Sequence, residues 1–461
     1  DVETERRRRD RWVRVRVHAS LSGRRRLNCP GYSDATGRSR SVRNSRTAVP
    51  GGSLARDRWF YYRARGQFSR MEDVRITDVE TYIVANPWKP WVFVQLETDA
   101  GVTGLAEATT HDKPRTVAAA IEEMSDFFIG RNPFETEALW LEMYRDEWFS
   151  KNVVNTTVCS AVDIACWDIK GKLLDEPVSA LLGGRVHGDE LRAYANGWYT
   201  DTDGEPEGFA EAAEEVVADG YDAMKFDPFG TAWQRMSRKD LNHAADIVRA
   251  VREAVGPDVD LLIEGHGRFS AGMAVDVAQK LAEFDPTWFE EPCPPDSIGS
   301  LGEVADKSPI PIATGERHMT KHEFFELVTR TDVDIIQPDL MNTGGLTEGK
   351  KIAGIAEADH VNVAPHNPQG PVATAIYAHF CTSVPNFMIQ EMFQTYDVEW
   401  VDDLLVDPVT VEDGFVQVPD GPGFGIELDM DVVAEHEYTE DRVHTINLFE
   451  KDWEKREVDR R

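Results

Sequence analysis

Three glutamates recur at one stride along the second half of this 461-residue chain: Glu264, Glu290 and Glu316, separated by 26 and 26 residues. Each closes a short apolar run, DVDLLIE, TWFEE and IPIATGE. A strand followed by a return helix takes about 30 residues. The stride therefore predicts a repeated β/α unit with one carboxylate at the same place in each repeat. When such units close into a barrel, their C-terminal strand ends converge on one face. Three carboxylates meeting there supply hard oxygen ligands of the kind a magnesium ion takes.

The flanking sequence extends the pattern. LRAYANGW, YDAMKFDP, VDLLIEGHG, TWFEEP, PIATGE, VDIIQPDL, VNVAPH and FMIQE are strand candidates, separated by acidic helical stretches such as LNHAADIVRAVREAVG. They fit the compact end of the TIM-barrel range, about 200 residues. Alternating β and α predicts parallel strands with right-handed crossovers. Upstream, residues 72–110 read as a β-meander and Pro114 to Leu182 as helices with a 3.6-residue apolar period. The expected organisation is an α+β domain over residues 71–190 and a barrel over 191–410. The Gly- and Pro-rich residues 411–461 are expected to pack back on the first domain before a tail.

Charge divides the chain at another place. Residues 1–70 hold 19 Arg, no Lys and 6 acidic residues, whereas the remainder holds 31 basic and 76 acidic residues. The first stretch lacks apolar periodicity and reads as disordered. Its exclusive use of Arg suits translated upstream sequence better than a basic arm or a targeting segment, which would place the true start at Met71. The net charge of −32 makes nucleic acid and anionic membranes poor partners. No apolar run reaches the ~20 residues that span a bilayer. The 5 cysteines form no CxxC pair, which points to reduced thiols and a cytoplasmic setting.

Ionisable side chains sit at seven consecutive strand ends: Lys225 with Asp227, Glu264 with His266, Glu290, Glu316, Asp339, His366 and Glu391. Crowded carboxylates repel one another and resist desolvation, so the cluster calls for a cation.

IEGHGRF, WFEEPCPP, IATGERHM, QPDLMNTGGLTE, NVAPHNPQGP and IQE resemble motifs of the enolase superfamily. Within it, the chain is similar to the mandelate racemase-type sugar-acid dehydratases, over roughly Ile76 to Gly425. The resemblance implies an α/β fold: a (β/α)7β TIM-like barrel under an N-terminal α+β capping domain. It also implies Mg²⁺, with Glu264, Glu290 and Glu316 at the ligand positions, although the galactonate-type pattern has Asp where Glu264 stands. His366 is the implied base, oriented by Asp339. His266 is the implied acid toward the departing C3 hydroxyl. Glu391 corresponds to the residue bonding the developing oxyanion, and crowding is expected to keep it protonated. The racemase-type Lys-x-Lys reads Lys225-Phe226-Asp227 here, so an acid-sugar racemase, epimerase or cycloisomerase is the weaker alternative. The acidic surface adds a halophilic, haloarchaeal expectation.

Lys225 and Asp227 are candidate substrate contacts, with pairing to a neighbouring acid left open for Lys225. Asn196 and Arg268 are candidates for substrate hydroxyls, or for shaping the loop. Trp88 belongs to a Pro- and Trp-rich loop that corresponds to the family's capping loop. His318 and His322 are expected on the surface. The implied partner is a small-molecule sugar acid, and the implied assembly is a homo-oligomer.

Overall fold

The computed structural model describes residues 71–86, 89–110, 113–393, 398–439, 444–445 and 456–457. Residues 1–70, Pro87 and Trp88 lie outside them, and so do the readings made of those residues.

The first strands among the described residues form an antiparallel meander, β1 (Ile76–Val84), β2 (Trp91–Thr98) and β3 (Thr103–Glu107). Helices Pro114–Glu123, Thr136–Asp146 and Val153–Leu174 follow. The last packs on β3 so tightly that a Cβ at Gly104 would lie 2.2 Å from the Ala165 carbonyl oxygen. It is buried along most of its length because the barrel covers its other side. There, Ser160 Oγ accepts the Gly344 N–H at 2.8 Å, and Asp163 Oδ2 accepts the Thr347 N–H at 2.9 Å. The segment Asn342-Thr343-Gly344-Gly345 is thus both a strand-to-helix turn and a docking point for the capping domain.

Strands β4 (Glu190–Ala195), β5 (Ala223–Phe226), β6 (Asp260–Glu264), β7 (Trp288–Glu290), β8 (Ile312–Thr314), β9 (Ile335–Ile336) and β10 (Asn362–Val363) pair in sequence order, all parallel. β11 (Gln390–Met392) pairs parallel with β4, and a bridge between Val363 and Phe387 joins it to β10. The barrel is therefore closed, with helices on its outside. One apolar layer fills its interior: Tyr194, Ala223, Leu262, Trp288, Ala313, Ile335, Ala364 and Ile389, one from each strand or its edge. Side chains alternate along a strand, so the residues two positions further on face the same lumen. Those residues are Asn196, Lys225, Glu264, Glu290, Gly315, Gln337, His366 and Glu391. The polar layer at the barrel mouth follows directly from the period of the strands.

The C-terminal segment touches both domains. β12 (Val411–Glu412) and β13 (Phe415–Gln417) form a hairpin on the N-terminal half of β4. Further along, the Gly423 carbonyl accepts the Val178 N–H at 2.8 Å, and the Ile83 carbonyl accepts the Tyr438 N–H at 2.9 Å, both in the capping domain. No helix among the described residues is long and apolar enough to cross a membrane. Cys159, Cys166, Cys293 and Cys381 are buried free thiols.

Candidate active site

Glu264 and Glu290 are direct register partners on β6 and β7. Glu316 stands two residues past the end of β8, beyond the bend at Gly315, whose φ is +141°. Each of the three offers a carboxylate oxygen, and these atoms lie within 4.8 Å of one another. The donors are all hard oxygens, and two of the three side chains are fully buried. Burial pushes the Glu290 and Glu264 carboxyls up, and repulsion from Glu264 and Glu316 respectively adds to it. Two buried carboxyls that resist ionisation, with the Glu316 carboxylate beside them, are a donor set a divalent cation satisfies. The residues present fit a hard metal ion.

Lys225 lies on the next strand, with Nζ 2.6 Å from Glu290, 2.9 Å from Glu391 and 3.5 Å from Glu264. It pairs with acids, one of the two readings left open above. Burial opposes its charge, but the carboxylates outweigh burial and hold it well above the usual lysine range.

Two histidine–aspartate pairs flank the cluster. His366 Nδ1 is 3.0 Å from Asp339 Oδ2, and its Nε2 is 3.1 Å from Glu316 Oε2. His266 Nδ1 is 2.7 Å from Asp227 Oδ2. The His266 backbone is left-handed, with φ +47°, and its N–H donates to Glu264 Oε1 at 2.6 Å. The turn Gly265-His266-Gly267 therefore ties the imidazole to the acidic trio. His266 follows β6 and His366 follows β10, four strands apart in a barrel closed by eight. The two imidazoles stand on opposite sides of the mouth. With Glu316, they keep side-chain exposures of 20%, 17% and 14%, which marks the open side of an otherwise buried layer.

Five candidate residues need correction or a narrower reading. Glu391 is not a neutral donor: burial opposes its charge, but Lys225 and His366 outweigh burial and hold it low. It instead accepts the Asn367 N–H at 2.6 Å and Asn196 Nδ2 at 2.8 Å. Asn196 is thus committed to Glu391. Arg268 does not reach toward a substrate: it is wholly buried, pairs with Asp227 and donates to the Gly265 and Gly230 carbonyls. Asp227, bonded to Arg268, His266 and the Phe229 N–H, orients His266 rather than facing the open side. His318 is buried against Phe324, where burial lowers its pKa, while His322 is exposed.

Other participants escaped the motif reading. Gln369 Nε2 donates to Asp339 Oδ2 at 2.7 Å, and the Tyr377 hydroxyl lies 3.2 Å from Asp339 Oδ1. Glu291, next to Glu290, is fully buried against Arg317. Gln369 was visible in NVAPHNPQGP, three residues after His366, but its partner there was not.

A sequence profile described as "Mandelate racemase / muconate lactonizing enzyme, N-terminal domain" matches residues 71–183. One described as "Enolase C-terminal domain-like" matches residues 208–432. The chain belongs to the mandelate racemase/muconate lactonizing enzyme family. Among its relatives, a D-gluconate dehydratase of Thermoproteus tenax is 38% identical over 346 residues, covering 75% of this chain and 69% of that protein. A D-gluconate/D-galactonate dehydratase of Picrophilus torridus is 36% identical, covering 83% and 98%. A D-xylonate dehydratase of Haloferax volcanii is 35% identical, covering 79% and 90%. The solved structure of a mandelate racemase/muconate lactonizing enzyme from Sulfitobacter sp. superposes with a TM-score of 0.75 at 34% identity, covering 79% of this chain and 96% of that one.

Proposed function

We propose that this enzyme is a Mg²⁺-dependent hydro-lyase that converts a sugar acid to its 2-keto-3-deoxy acid, the acid being gluconate, galactonate or a pentonate such as xylonate. The observation that carries the reading is the opposed pair of His–Asp dyads on either side of one acidic trio. Relatives named as dehydratases of those three acids support the substrate class.

Glu264, Glu290 and Glu316 are the residues that would hold the ion. Bound there, Mg²⁺ would supply Lewis-acid stabilisation of the negative charge that grows on the substrate carboxylate. A C2 proton next to a carboxylate is weakly acidic, so its removal needs a positioned base as well. Neutral His366 takes that proton at Nε2, because Nδ1 is committed to Asp339. Asp339 favours the imidazolium that results. Lys225 is held as a cation beside the trio, where it faces the developing charge.

The C2–H electron pair moves into the C2–C3 bond, and the C3–O bond breaks. His266 delivers a proton from Nε2 to the departing oxygen, which leaves as water, while Asp227 fixes Nδ1. The enol left behind tautomerises to the keto acid. A racemase would need a second base near position 227, and there an aspartate is bound to Arg268 instead.

The test is a panel of aldonates incubated with Mg²⁺ and assayed for 2-keto-3-deoxy acid. Turnover of at least one, abolished by chelator, is expected. Deuterium incorporation at C2 without keto-acid formation on any of them would overturn the dehydratase reading.

A further inference from the structure

The Asp339–His366 dyad does not stand on barrel residues alone. Asp339 Oδ2 accepts both His366 Nδ1 and Gln369 Nε2, and Gln369 Oε1 in turn accepts Lys89 Nζ at 3.2 Å. Lys89 lies in the β1–β2 loop of the capping domain, 280 residues away in sequence, and is 3% exposed. Chemistry decides which way the amide points. A lysine ammonium can only donate, and an ionised aspartate can only accept. With Lys89 at one end, the amide oxygen must face it, so the amide N–H faces Asp339.

A second capping residue grips the same segment. Glu107, at the end of β3, is fully buried and accepts the Gly370 N–H at 2.8 Å and the Ala373 N–H at 2.9 Å. It sits at the start of helix Pro371–Thr382, where a carboxylate is favoured. A Cβ on Gly370 would lie 3.0 Å and 3.1 Å from its two oxygens. The backbone just after Gln369 is thereby fixed to the capping domain, with no slack for the amide to turn away.

We propose that Lys89 and Gln369 are positioning residues: docking of the capping domain sets the orientation of the Asp339 carboxylate and, through it, of His366. This rests on the reading of His366 as the base. On this account, a displaced capping loop leaves the acidic trio intact but the base misaligned. Misplacement of a reacting group by an ångström, or loss of a supporting hydrogen bond, costs roughly 10- to 100-fold in rate.

The experiment compares Gln369→Leu, Lys89→Met, Lys89→Arg and the Gln369→Leu/Lys89→Met double variant with the full-length enzyme, using the aldonate it turns over. Expected are a kcat lower by roughly 10- to 100-fold in both single variants with KM within about twofold, a double variant no slower than Gln369→Leu alone, and recovery of most activity in Lys89→Arg. Additive losses, or a rise in KM alone for Lys89→Met, would show that Lys89 touches the substrate and would overturn the proposal. A second readout needs no substrate: the downfield imidazole N–H resonance of His366 bonded to Asp339, assigned by its disappearance in His366→Asn. Both single variants should move it, and an unmoved resonance also overturns the proposal. Failure of the base reading is separate, since His366→Asn would then retain C2 proton exchange.

Discussion

Asp227 Oδ2 lies 2.7 Å from His266 Nδ1, and the same carboxylate carries the buried guanidinium of Arg268. Burial works against the Asp227 charge, but Arg268 and His266 outweigh it and hold the carboxyl below its usual range. With Nδ1 committed to Asp227, Nε2 is the ring nitrogen that would act on the open side. If it protonates the leaving hydroxyl, its loss should separate the two halves of the reaction. His266→Asn is expected to form keto acid at least ~100-fold more slowly, the scale of one general acid. Exchange of the C2 proton, which the proposed mechanism assigns to His366, should fall much less. Parallel measurement of keto acid and of C2 deuterium by proton NMR decides it, and equal losses would remove His266 from the acid role.

The acidic trio predicts a cation-dependent stability. A ligand bound only by the folded state stabilises it by RT ln(1 + [L]/Kd), about 2.7 kcal/mol at a hundredfold excess over Kd. Thermal unfolding should therefore shift upward with added Mg²⁺. In Glu290→Gln one carboxylate of the trio is gone, and that shift should vanish. Retention of the full shift would place the ion elsewhere.

The metal-free protein should also lose stability as pH rises. Burial raises the folded pKa of Glu264 to about 7 and of Glu290 to about 8, both above the ordinary 4.5. Between those limits the folded state holds protons that the unfolded state has released, so the slope of stability against pH is negative. His366 acts in the same direction. Burial opposes its charge, but Glu316 and Asp339 raise its pKa above 6.5, so its contribution too is lost as pH rises through the folded value. In chelator, the unfolding midpoint should fall steadily from about pH 4.5 to about pH 8 and level off above that. Added Mg²⁺ should flatten the slope. A midpoint that climbs with pH in chelator would contradict the ionisation state assigned to Glu264 and Glu290.

What could be read from the sequence was what repeats. The stride of Glu264, Glu290 and Glu316 is the length of a β/α unit, and strand ends converge in any such barrel. Asp339 and His366 were legible for the same reason. The charge on Glu391 was not, because it depends on Lys225, 166 positions earlier, lying 2.9 Å away. Crowding by like charges predicted a neutral acid, but a buried ammonium reverses the sign. Arg268 follows a catalytic motif, and its sequence leaves substrate and loop open alike; only the fold shows its guanidinium turned inward to backbone carbonyls. His318 lacked any pattern to place it under Phe324. Contacts across the two domains, such as Lys89 to Gln369, leave no local signature at all.

Two glycine substitutions should move stability in opposite directions. Gly354 lies inside helix Gly345–Ala358, is exposed, and has no neighbour within 4 Å of a built Cβ. Alanine there restricts the unfolded chain and favours helix, so Gly354→Ala should stabilise by about 0.5–1 kcal/mol. Gly267 is the reverse case. Its φ is +65°, which costs an alanine about 1–2 kcal/mol. Its Cβ would also meet Arg317 Nη2 at 1.8 Å. Arg317 could swing aside, but it is the cation paired with the fully buried Glu291. A displaced Arg317 leaves the buried Glu291 charge less compensated, which adds to the cost. Gly267→Ala should therefore lose more than the backbone strain alone in chemical denaturation. The loss should be smaller in a Glu291→Gln background, where no buried charge is left uncompensated. If the loss is the same in both backgrounds, backbone strain alone accounts for it, and Arg317 has moved without harm to Glu291.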